Sequence, residues 1–137
     1  MKYTSVFDIV GPVSVGPSSS HTTGALLIGA AARKKFGKTP KKVDIHLYGS
    51  FARTYRGHGT DKAIIAGLLG FDIADAGVRS ALEEANKQGL SFNFIEEDIK
   101  ARLPNTAKIV IRDGDEEMVT IGVSIGGGRI EIVEEVS

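Results

Sequence analysis

The chain has 137 residues, 42% hydrophobic and 25% charged, enough apolar content for one core that folds on its own. Its 17 basic and 17 acidic side chains cancel, which argues against a nucleic-acid partner. With no cysteine there is no disulfide, no thiol nucleophile and no thiolate to ligate a metal, and the lack of a signal peptide or a membrane-length apolar run gives a cytoplasmic expectation with no membrane partner.

In chain order, Met1 to Val10 reads as a short strand or extended arm. Gly11-Pro12 and Gly16-Pro17 then force turns. The cluster Ser18-Ser19-Ser20-His21-Thr22-Thr23 follows, and Ala25 to Ala32 is a strong helix former. The pattern predicts a helix over 19–36 whose first turn carries the hydroxyls. No Asp or Glu lies between Ser18 and Ile28, although first turns usually recruit one. Arg33-Lys34-Lys35 and Gly37 mark its C-terminus. Its N-terminus is therefore open to a ligand carboxylate or phosphate. The alternative is an ordinary Ser18 or Ser19 cap on a solvated turn. Gly24, Ala25, Gly29, Ala31 and Ala32 are small enough to admit a close neighbour.

Val43 to Tyr48 alternates, predicting a strand with Val43, Ile45 and Leu47 on one face and Asp44, His46 and Tyr48 on the other. A short helix is expected over 51–56. A further apolar helix over 62–69 is expected after Gly57-His58-Gly59-Thr60-Asp61, capped by Thr60 or Asp61. An amphipathic helix within 72–88 puts Val78, Ala81, Leu82 and Ala85 on one face. Strands are expected over 91–95, 107–112, 117–125 and 129–136. Asp113 to Glu116 supplies one turn and Gly126-Gly127-Gly128 a turn or bulge, with close approach to a ligand as the minority alternative. The sum is an α+β domain over 1–137, with helices packed on one face of a largely antiparallel sheet.

Several strings carry no chemistry. Gly122-Val123-Ser124-Ile125-Gly126 matches a nucleophile elbow, but its serine lies inside a strand and no histidine follows. The turn before the first helix lacks the Gly-Lys-Ser/Thr of a nucleotide loop. Asp44, Asp61 and Asp72 have no metal-ligand spacing. His46 reads as structural. His21 and His58 each sit in a glycine- and hydroxyl-rich break beside a helix start. Together they would serve as an acid and a base near neutral pH; two unrelated loop histidines is the alternative.

Ser5-Val6-Phe7-Asp8-Ile9-Val10-Gly11-Pro12, Gly16-Pro17-Ser18-Ser19-Ser20-His21-Thr22, Tyr48-Gly49-Ser50-Phe51, Gly57-His58-Gly59-Thr60-Asp61 and Ser124-Ile125-Gly126-Gly127-Gly128 together resemble the β chain of the iron–sulfur-dependent L-serine dehydratases. The resemblance covers nearly the whole chain. It implies conversion of L-serine to pyruvate and ammonia without pyridoxal phosphate. It implies a 4Fe–4S cluster held by cysteines of a partner α chain, one iron acting as Lewis acid, so this chain alone would be inactive. It implies a fold like the allosteric substrate-binding domain of some D-3-phosphoglycerate dehydrogenases. Carried over, Ser18, Ser19, Ser20 and Thr22 would bind the substrate carboxylate, and His21 and His58 would exchange protons, His58 taking the α-proton. Family chains commonly continue into an ACT-type regulatory domain, which this chain does not reach. Some members carry His-Pro-Asn where this chain has Leu103-Pro104-Asn105, so that turn is assigned no role. A non-catalytic regulatory module for serine or another anion is the rival reading, and a homodimer is left open.

Overall fold

The computed structural model describes residues 19–49, 51–52, 59–72, 78, 80–97, 105–126 and 128–133. Helix α1 spans Ser19–Phe36, with the bounds its composition predicts. Gly37 closes it at φ 91°, its N–H donating to the Arg33 carbonyl at 2.8 Å, a left-handed cap that suits glycine. Strand β1 (Lys42–Tyr48) follows, then α2 (Thr60–Leu68), α3 (Ala81–Lys87) and β2 (Ser91–Glu96). Strands β3 (Thr106–Asp113), β4 (Glu116–Gly126) and β5 (Arg129–Val133) complete the described chain.

The sheet order is β2-β1-β3-β4-β5. Three of its pairings are antiparallel and β1–β2 is parallel. The α+β expectation holds, and the parallel pair is the feature that strand patterning did not reveal. A parallel neighbour needs a crossover, and α2 and α3 lie within this one. The β3–β4 hairpin turns at Gly114, φ 63°, glycine standing at the first central position where the chain must go left-handed. A register shift between Ser124 and Gly126 precedes the β4–β5 turn, the bulge expected for that glycine run.

Register explains the core. Ile45 lies opposite Ile109, which lies opposite Thr120; Leu47 lies opposite Ala107, which lies opposite Gly122. Val43, Ile45, Leu47, Ala107 and Ile109 are fully buried beneath the helices, whereas Asp44, His46 and Tyr48 are half-buried on the open face. Gly122 lets α1 settle onto β4, since a Cβ there would stand 2.6 Å from two carbons of Ile28. Against α2 the approach is closer still. A Cβ on Gly29 would run into the Ile64 carbonyl, and one on Gly67 into the Leu26 carbonyl and, at 2.6 Å, the Ala30 nitrogen. The small residues of α1 thus bring two backbones together.

One expectation is corrected: helix α2 starts at Thr60, and its N-cap is Gly59 at φ 77°, with no side-chain cap from Thr60 or Asp61. Helix α3, 81–87, lies within the expected 72–88, and Val78, Ala81, Leu82 and Ala85 face the core. The expected strand over 129–136 is described as Arg129–Val133 and the expected short helix over 51–56 as Phe51–Ala52; positions 134–136 and 53–56 lie outside the described residues.

Candidate functional site

Helix α1 runs antiparallel to β4. Near its C-terminus Lys35 Nζ donates to the Val119 carbonyl at 3.0 Å. Near its N-terminus Gly24 lies over Ser124, where a Cβ would stand 2.5 Å from Ser124 Oγ. The first turn of α1 therefore sits where β1 ends, β3 begins and β4 turns into β5.

That end is tied together by Asn105. Its backbone carbonyl accepts the Ser124 N–H at 2.8 Å, and its side-chain Oδ1 accepts the Phe51 N–H at 3.1 Å. Phe51 is fully buried, and the Ala52 N–H closes the turn onto the Gly49 carbonyl at 3.1 Å. Ser124 is buried within its strand, which accords with rejecting it as a nucleophile.

The two long helices also share a direction. Arg33 and Gly37 of the α1 end, with Gly67, Gly70 and Phe71 of the α2 end, line one groove of about 450 Å³. Their first turns accordingly point away from that groove, toward the other end. The starts differ in charge. In α2, Asp61 Oδ1 accepts the Lys62 N–H at 2.7 Å, a carboxylate against the positive pole. In α1 the first turn has no acid and the last holds Arg33, Lys34 and Lys35. Among the described helices, α1 alone has no acid in its first turn, where the helix dipole places about half a positive elementary charge. At the α2 start, Thr60 is fully buried and its Oγ1 has no partner among the described residues.

The predicted site residues divide accordingly. Ser19, Ser20, His21 and Thr22 form the first turn of α1, and Thr22 is half-buried there. Ser18 and His58 lie outside the described residues. Asn105 is the residue sequence reasoning missed, because a side chain bonded to a backbone amide 54 positions away leaves no local pattern.

On the open face of the sheet, His46 Nδ1 and Glu97 Oε2 are 2.6 Å apart. Burial, then the Glu97 charge, pushes the Tyr48 hydroxyl above its ordinary range. Burial acts to raise Asp44, but hydrogen bonds from Asn93 and Arg112, with the Arg112 and His46 charges, outweigh it and hold the carboxyl below its usual value. Arg112 also pairs with Glu117. Among the described residues no cluster of three or more His, Cys, Asp or Glu side chains is placed to hold a metal. No described helix is long and apolar enough to cross a membrane.

Comparison with known proteins bears on this arrangement. A family model described as serine dehydratase beta chain matches residues 5–93. The "Probable L-serine dehydratase, beta chain" of Bacillus subtilis is 54% identical over 134 residues, which are 98% of this chain and 61% of that one. The "L-serine dehydratase, beta chain" of Peptoniphilus asaccharolyticus is 43% identical over 132 residues, 94% of this chain and 59% of that one. An L-serine dehydratase of Haemophilus influenzae is 44% identical over 73 residues, covering 49% of this chain and 16% of its own. The chain thus spans about three fifths of the length of the first two relatives.

Proposed function

The chain belongs to the serine dehydratase beta chain family, and from that premise we propose that it is the β component of an L-serine ammonia-lyase, releasing pyruvate and ammonia from L-serine. The observation that carries the reading is the first turn of α1: four residues, Ser19, Ser20, His21 and Thr22, form a helix start with no acid in its first turn, inside the matched region. The amides of that turn and the hydroxyls of Ser18, Ser19, Ser20 and Thr22 bind the substrate carboxylate. His58 takes the α-proton, and His21 is its acid–base partner.

This chain does not fit a resident iron–sulfur cluster, because it has no cysteine to supply thiolate. In this reading a 4Fe–4S cluster belongs to a partner α chain, where it supplies a Lewis acid for loss of the hydroxyl. No pyridoxal phosphate takes part, and the chain is inactive without its partner. The likeness to the allosteric substrate-binding domain of some D-3-phosphoglycerate dehydrogenases belongs to the same proposal.

The test is reconstitution with a cluster-bearing α chain. Pyruvate should form from L-serine only when both chains are present. His58→Gln should lower turnover by about 10²-fold or more while the cluster absorbance persists. Full turnover by His58→Gln would remove His58 from the chemistry. Serine binding by this chain without any turnover on mixing would favour a regulatory module instead.

A further inference from the structure

We propose that Asn105 is a positioning residue of the site, the tie that fixes the turn leaving β1 against α1. The inference rests on the catalytic reading above, and its geometry stands apart from it. The side-chain oxygen of Asn105 takes the Phe51 N–H at 3.1 Å, the first amide of the turn that leads toward His58. Its backbone oxygen takes the Ser124 N–H at 2.8 Å, and Ser124 is the residue on which Gly24 of α1 rests. One residue thus spans three separate stretches of chain, each belonging to or adjoining a string that carries the family resemblance.

Chemistry explains why asparagine suits this place. The Phe51 N–H opens a helical turn and belongs to a fully buried residue, so it needs an acceptor from elsewhere. The amide oxygen of asparagine supplies one without burying a charge. Glycine on one side and helix α2 on the other bracket the stretch after Ala52: Gly49 turns the chain at φ 64°, and Thr60 is locked into the helical layer. The Asn105 bond holds the Phe51 amide, seven residues before His58 in the sequence. Displacing a reacting group by about 1 Å costs on the order of 10²-fold in rate.

Asn105→Ala and Asn105→Asp are compared in the assembled enzyme. Asn105→Ala should lower kcat for L-serine about 10- to 100-fold with KM changed little, because the substrate-binding turn of α1 is intact. Asn105→Asp should recover most of the loss, since a carboxylate oxygen accepts the same Phe51 N–H. Amide exchange gives a second readout. The Phe51 amide should exchange at least about tenfold faster in Asn105→Ala than in wild type, and should stay protected in Asn105→Asp. Wild-type kcat in Asn105→Ala, or equal loss in both variants, overturns the proposal. Should Asn105→Ala fail to fold, Asn105→Asp with full turnover and an unprotected Phe51 amide overturns it as well. A wild-type assembly that does not turn over serine sinks the catalytic reading alone; the exchange result still decides whether Asn105 holds the turn.

Discussion

The two faces of the sheet solve different problems. On the covered face, Val43, Ile45 and Leu47 vanish from solvent, and α1 and α2 meet backbone to backbone through Gly29 and Gly67. On the open face the same strand presents Asp44, His46 and Tyr48 to half-wet surroundings, where Asp44 pairs with Arg112 and His46 Nδ1 lies 2.6 Å from Glu97 Oε2. Interior contacts are close-packed and resist any change of volume, while pairs in contact with water exchange one polar partner for another. The contrast teaches that stability here is concentrated in the helical layer, leaving the open face free to vary.

Substitutions can break that contrast, beginning with the largest. Ile45→Ala should cost about 2–5 kcal/mol in chemical denaturation, by lost transfer and an unfilled cavity. Gly67→Ala should cost about 1–3 kcal/mol, because a methyl group there must push α1 away from α2. Gly114→Ala, with open space around it but φ 63°, should lose only about 1 kcal/mol, separating backbone strain from crowding. Asp44→Asn should change the unfolding midpoint at neutral pH least of all. A cost for Asp44→Asn above that of Gly67→Ala would overturn the comparison.

Acid sharpens it further. Asp44 is held below its ordinary value when folded, so its contribution is present above the unfolded carboxyl pKa near 4 and is lost as pH falls through the folded value. A denaturation series from pH 6 to pH 2 should show wild type losing stability more steeply than Asp44→Asn. Parallel curves would mean that the carboxyl gains nothing from its neighbours.

How much of this was written locally can be judged element by element. Helix α1 was legible to the residue, because a serine-rich start, a basic last turn and Gly37 are all short-range signals. So was the division of β1 into two faces, since a period of two is visible in any window. The small residues of α1 announced a close neighbour without saying which. The parallel seat of β2 beside β1 was not legible, for pairing partners far apart in sequence share no pattern. Nor was the Gly59 cap, as Asp61 is a better cap former by composition and Thr60 an equal one. At the candidate site, the missing acid of α1 could be read directly, whereas the pairing of His46 with Glu97 and the bonds of Asn105 exist only once the chain is folded.

Strand order has a consequence for biosynthesis. Helix α1 emerges first among the described elements, yet the strands it rests on, β3, β4 and β5, are made last. Until they appear, Ile28 and its neighbours have no platform, and β1 waits with one edge open. A nascent chain stalled after β2 would present a greasy helix and a half-built ribbon to whatever surrounds it, a species prone to clumping. Among the described elements, the β3–β4 and β4–β5 hairpins thus supply the platform of α1 after every helix has been made.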